Sequence, residues 1–69
     1  MNWMICLSSK GYEASLETRK IYTASVDERA ERLGMVRIVD ESGESYLYPN
    51  TMFAPIPIQE RLEEQLLAA

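Results

Sequence analysis

The chain has 69 residues, enough for one domain with a thin hydrophobic core, and seven basic against eleven acidic side chains give it a net charge of −4. This charge disfavours nucleic-acid binding, which needs a basic face to displace counterions from phosphate groups. The single cysteine excludes an intrachain disulfide, and with no histidine present a structural zinc site is excluded too, so no cofactor or metal is expected.

Two strands are predicted in the first third of the chain. Residues 3–7 form an apolar run of strand length, and a turn signal follows at residues 8–11. Residues 20–24 are rich in β-branched and aromatic side chains that alternate with polar ones, which predicts a second strand. A long loop therefore joins the first strand to the second.

A short helix is predicted at residues 27–34. Asp27 can accept hydrogen bonds from the free N–H groups at its start, and Gly34 can take the left-handed conformation at its end. Ala30 and Leu33 are its predicted buried contacts. The predicted helix is only one or two turns long and connects two strands.

The clearest local signal is a hairpin of residues 35–39 and 45–48. A type I turn begins at Asp40, and Gly43 supplies the positive φ of a G1 bulge. The resulting register places two pairs on one face of the hairpin: Ile38 beside Tyr46, and Val36 beside Tyr48. Pro49 ends the second strand, because proline cannot donate to a ladder.

The remaining elements are a 3₁₀ turn at residues 50–52, an edge strand at 53–57 that contains two prolines, and an amphipathic helix from 58 onwards. This helix repeats apolar residues every four positions, at Ile58 and Leu62 among others. It either caps its own barrel or pairs with a second copy to form a homodimer. Its polar face is mostly acidic, so binding to an anionic membrane is disfavoured.

Core and site candidates follow from these elements. Cys6 lies in an apolar strand and is predicted to be a small core residue without a base to activate it. Asp40, Glu41 and Glu44 are interpreted as a solvated turn, with a cation site as the alternative. The predicted core residues are Val36, Ile38, Leu47, Phe53, Ile5, Leu7, Ile21 and Leu16.

This order of elements resembles that of SH3 domains over residues 3–58. The segment Tyr12-Glu13-Ala14 resembles the start of their long loop, and residues 48–53 resemble their proline-containing 3₁₀ segment. The resemblance implies a mainly β fold, a small five-stranded SH3-like barrel over residues 1–58, with a short helical turn between strands and a C-terminal helix at 59–69. Residues 11–16 and 38–49 (GYEASL and IVDESGESYLYP) also resemble small uncharacterised bacterial proteins.

The likeness to peptide-binding SH3 domains implies a partner face made of Tyr12, Tyr48, Pro49 and Met52. Tyr12 and Pro49 match groove positions, whereas Met52 stands in place of a tyrosine and residues 35–36 in place of a tryptophan. The leading hypothesis is a non-enzymatic protein-interaction module with an unknown protein partner. The alternatives are a structural or regulatory subunit that docks through its C-terminal helix and, disfavoured by charge, a nucleic-acid adaptor.

An enzyme is the least favoured class, because the chain has no histidine and no evident carboxylate pair for acid–base work. A single cysteine, no export signal and no apolar run of membrane-spanning length predict a cytoplasmic protein.

Overall fold

Five short strands, two helices and one 3₁₀ turn make up the computed structural model, which describes residues 2–68. The elements in chain order are β1 (Asn2–Cys6), β2 (Ile21–Ser25), α1 (Glu28–Arg32), β3 (Met35–Val39), β4 (Ser45–Pro49), the 3₁₀ turn (Asn50–Met52), β5 (Phe53–Pro55) and α2 (Glu60–Ala68). No helix within residues 2–68 is both long and apolar enough to cross a membrane.

The strands form one antiparallel sheet in the order β4-β3-β2-β1-β5. β1 pairs with β2 on one side and with β5 on the other, so the sheet curls into a half-barrel. The predicted mainly β fold is thereby confirmed, with five strands in an SH3-like arrangement, a helix between β2 and β3, and a C-terminal helix. Pro55 lies on a sheet edge, as predicted, because β5 is the end strand. The predicted strand at 53–57 is too long: β5 ends at Pro55, and Pro57 lies beyond it.

The β3–β4 hairpin has the predicted register and turn. Ile38 faces Tyr46 and Val36 faces Tyr48. The turn closes through the N–H of Gly43, which donates to the carbonyl of Asp40 at 3.0 Å, and Gly43 has a φ of 83°. This left-handed conformation is open to glycine at little energetic cost, which explains the residue at this corner.

Helix α1 begins as predicted and ends early. The Oδ1 atom of Asp27 accepts a hydrogen bond from the N–H of Ala30 at 3.0 Å, and Ala30 is buried. Gly34 has a φ of 70°, the predicted left-handed conformation. The prediction that Leu33 is buried is wrong: the helix ends at Arg32, and Leu33 lies in the C-cap position with its side chain in solvent.

The core is a single cluster on the inner face of the half-barrel, and Met4, Val36 and Met52 pack against it while remaining partly exposed. Its members are Cys6, Leu16, Tyr22, Ala24, Ile38, Tyr48 and Phe53. The predictions for Cys6, Leu16, Ile38 and Phe53 are confirmed.

Three other core predictions are wrong, because they assign the wrong face of a strand. Leu7 and Ile21 are exposed, and Leu47 is 37% exposed although Ile38 in the facing strand is fully buried. Side chains alternate between the two faces of a strand, so an error of one residue reverses every assignment in it. Ile5 is half-buried, and its alternation with Cys6 places it on the outer face.

Candidate functional site

A groove of about 580 Å³ opens at the end of the half-barrel where β1 and β3 begin and β2 ends. The chain that follows β5 forms one side of it, and α1 and α2 contribute one residue each. The lining residues are Asn2, Trp3, Met4, Ala24, Ser25, Val26, Glu31, Met35, Val36, Asn50, Pro55, Ile56, Pro57, Ile58 and Glu63.

The floor of the groove is apolar and continuous with the core. Met4, Ala24 and Val36 lie on the inner face of β1, β2 and β3, because each is two residues away from a core side chain in the same strand. Met4 and Val36 pack against the core cluster and still line the groove. The groove therefore exposes apolar surface that this small sheet does not cover.

One wall of the groove is formed where β1 lies beside the segment that follows β5. The N–H of Ile56 donates to the carbonyl of Trp3 at 3.1 Å, which continues the β1–β5 pairing beyond Pro55. The indole N–H of Trp3 donates to Oε2 of Glu63 at 2.8 Å, so α2 is held at the groove. No residue of α2 is buried, and this hydrogen bond is its polar anchor to the barrel among the described residues.

The charged side chains that line the groove are both acidic. Glu31 comes from α1 and Glu63 from α2, and no lysine or arginine is among the described lining residues. Two carboxylates beside an apolar floor favour a ligand that combines positive charge with apolar surface.

The four side chains of the predicted partner face lie outside this groove. The rings of Tyr12 and Tyr48 meet edge to face with centroids 5.1 Å apart. Tyr12 is 40% exposed, whereas Tyr48 is only 4% exposed, Pro49 is half-buried and Met52 packs against the core. Of the four, Tyr12 therefore offers the most accessible surface.

The hydroxyl of Tyr48 forms hydrogen bonds within the protein. It donates to Oδ2 of Asp40 at 2.6 Å and lies 3.0 Å from the hydroxyl of Ser15. Burial and the hydrogen bond to the Asp40 carboxylate raise the pKa of Tyr48 above that of an exposed tyrosine. Tyr48 is thus a structural residue that joins the hairpin to the long loop after β1.

The acidic turn is less solvated than the sequence predicts. The sequence predicts a solvated turn, and Glu41 and Glu44 are exposed, but Asp40 is buried. Asp40 accepts hydrogen bonds from the hydroxyls of Tyr48 and Ser42. Glu41 accepts from Lys20 at 2.7 Å and from Tyr22 at 2.5 Å. The hydrogen bond from Lys20, followed by that from Tyr22, lowers the pKa of Glu41. These carboxylates are occupied by protein donors, and no group of three metal-ligating side chains occurs within residues 2–68.

Cys6 is enclosed in the core. Its thiol donates to the carbonyl of Ser8 at 3.3 Å, and burial raises the pKa of the thiol. A thiol with a raised pKa carries little thiolate near neutral pH and is a poor nucleophile.

The groove residues were not predicted from the sequence, although one local signal points to them. Alternation from Cys6 backwards places Met4 on the inner face of β1, at the open end of the barrel. The other wall depends on residues 55–58 returning beside Trp3, a contact between distant parts of the chain. No pattern in the sequence indicates it.

No family model, curated protein or solved structure matches the chain. The likeness to peptide-binding SH3 domains and to small bacterial proteins stays a prediction. The groove and its charges are therefore the basis for a functional proposal.

Proposed function

We propose that this protein is a non-enzymatic protein-interaction module that binds an extended, positively charged segment of a protein partner in the groove at the open end of the barrel. The observation that carries the proposal is the combination of an apolar floor, made by Met4, Ala24 and Val36, with acidic charge at Glu31 and Glu63.

Lysine and arginine side chains suit such a groove. Their aliphatic stems can cover apolar surface while the charged head stays near a carboxylate and water. The floor would contact the stems and any apolar neighbours, and Glu31 would meet a cationic head at the rim. Glu63 already accepts the indole N–H of Trp3 through one carboxylate oxygen, which leaves its second oxygen for a ligand.

The charge of the whole chain supports the same class of partner. A net charge of −4 attracts a positively charged segment over a distance that depends on salt, and it repels polyanions such as nucleic acids. The buried single cysteine suits a reducing compartment such as the cytoplasm. These properties favour recognition of a basic and apolar protein segment over the nucleic-acid alternative.

Trp3, the only tryptophan of the chain, is a built-in probe of the groove. We expect its fluorescence to change on titration with a short peptide in which lysine alternates with leucine, and to change much less with the analogue that carries glutamate in place of lysine. The ion pairing at the rim should weaken as salt is raised.

A matched pair of variants separates groove binding from general charge attraction. Glu31→Lys and Glu28→Lys change the same charge on the same helix, but Glu31 lines the groove and Glu28 does not. We expect Glu31→Lys to weaken binding of the lysine peptide by about tenfold, the equivalent of about 1.4 kcal/mol, and Glu28→Lys to have a much smaller effect. Equal weakening by the two variants, or no response of Trp3 to the lysine peptide, would refute the proposal.

A further inference from the structure

The sheet has two edges, and the hydrogen bonds of the hairpin determine which backbone groups of β4 face outwards. The N–H of Asp40 donates to the carbonyl of Glu44 at 3.1 Å, and the N–H of Asn50 donates to the carbonyl of Gly34 at 2.9 Å. The pairs Asp40–Glu44 and Gly34–Asn50 continue the β3–β4 register by one residue pair at each end. Because bonded and non-bonded pairs alternate in an antiparallel ladder, even-numbered residues of β4 bond to β3.

The odd-numbered residues of β4 consequently present their backbone groups to the free edge. Ser45 and Leu47 each direct an N–H and a C=O away from β3, and Pro49 directs a C=O. No hydrogen bond of residues 2–68 uses these groups, and the side chains of Ser45 and Leu47 are exposed. β4 also has no charged side chain, although charge is a common protection of exposed edges.

The opposite edge, β5, is protected. The N–H of Ile56 donates to the carbonyl of Trp3, and the N–H of Leu7 donates to the carbonyl of Met52. Because bonded and non-bonded pairs alternate, the even-numbered residues of β5 bond to β1, and the backbone groups of Phe53 and Pro55 face outwards. The N–H of Phe53 donates to the carbonyl of Asn50, and proline has no N–H. β5 therefore offers no free donor at its edge, and β4 is the one open edge in the described part of the chain.

We propose that β4 pairs antiparallel with β4 of a second copy, about a two-fold axis at Leu47. In this register the N–H of each Leu47 donates to the carbonyl of Leu47 in the other copy, and the N–H of each Ser45 donates to the carbonyl of the opposite Pro49. Every outward N–H of β4 is then paired. The carbonyl of each Ser45 faces Pro49 of the other copy, which has no N–H to donate, and this carbonyl stays open to water. The strand is self-complementary, which favours a second copy as the occupant.

Side chains and charge are compatible with this pairing. The two Leu47 side chains meet on the outer face of the joined sheet, beside Arg37, the cross-strand neighbour of Leu47. Glu44 of one copy lies opposite Asn50 of the other, so no like charges face each other along the strands. The net charge of −4 on each copy opposes association, and we therefore expect the dimer to strengthen as salt is raised.

The test is amide hydrogen exchange of the full chain across a range of protein concentrations at raised salt, together with sedimentation equilibrium. Pairing predicts that the amides of Ser45 and Leu47 exchange more slowly as concentration rises, by more than about tenfold once the dimer dominates. Leu47→Pro removes only an outward N–H and leaves the β3 ladder intact, so the dimer should be lost while the fold is kept.

A second variant covers the case in which Leu47→Pro does not fold. Leu47→Lys keeps the backbone and places two like charges at the axis, and it should also abolish the dimer. Leu67→Lys, at an exposed position of α2, is the matched control and should leave the dimer unchanged. A monomer at every concentration with fast exchange at Ser45 and Leu47, a dimer that survives both Leu47 variants, or a dimer lost only in Leu67→Lys would overturn the proposal.

Discussion

Asp40 shows how one buried carboxylate connects the hairpin to the rest of the barrel. Its Oδ1 atom accepts the N–H and the hydroxyl of Ser42, and its Oδ2 atom accepts the hydroxyl of Tyr48. The side-chain hydrogen bond from Ser42, followed by that from Tyr48, lowers the pKa of Asp40. The sequence predicts Asp40 as the first residue of a turn, but its burial depends on Tyr48 in the facing strand.

The lowered pKa makes the contribution of Asp40 to stability dependent on pH. The folded state holds this proton less tightly than the unfolded state, whose pKa is near 3.8, so the contribution is present above that pH and is lost as pH falls through the folded pKa. We expect Asp40→Asn to lower the free energy of unfolding by about 1–2 kcal/mol at neutral pH, and by less near pH 3.

Urea unfolding of the wild type and Asp40→Asn at the two pH values measures this difference. Other carboxylates with lowered pKa, Asp27 and Glu41 among them, weaken both proteins in acid and cancel in the comparison. Glu64→Gln, at an exposed position of α2, is the control and should behave as wild type. A deficit of Asp40→Asn that is the same at both pH values would show that the charge of Asp40 does not stabilise the fold.

At the scale of elements, local signals determined where strands and helices lie, and tertiary contacts decided which faces are buried. Asp27, Gly34 and Gly43 mark boundaries that the structure confirms, because caps and left-handed corners depend on a few neighbouring residues. The inner face of β4 is different: Leu47 is the more hydrophobic candidate, yet Tyr48 is buried because Asp40 satisfies its hydroxyl.

Substitutions of Gly43 test the conformation of the hairpin turn. A Cβ atom at this position would contact nothing within 4 Å, so the penalty of Gly43→Ala comes from the φ of 83° alone. We expect a loss of about 1 kcal/mol in the free energy of unfolding, and a smaller loss for Gly43→Asn, because asparagine tolerates the left-handed conformation better. Urea unfolding measures both. An alanine variant as stable as the wild type would show that the corner adopts another conformation.

At the scale of the whole molecule, the groove arises because a short chain cannot cover its own core. Met4 and Val36 contact the core cluster and still face solvent at the open end, while α2 stays exposed beyond its contact with Trp3. The groove could not be predicted from local patterns, since the hydrogen bond between Trp3 and Glu63 joins residues 60 positions apart. The earlier predicted face around Tyr12 remains the alternative surface.

Amide and indole chemical shifts of the full chain, followed during titration with the lysine–leucine peptide, locate the binding surface. Binding in the groove predicts that the largest changes fall on the indole N–H of Trp3 and on the amides of Val26, Val36 and Ile58, with little change at Tyr12 and Met52. Changes centred on Tyr12 and Met52, with the groove signals unmoved, would contradict it.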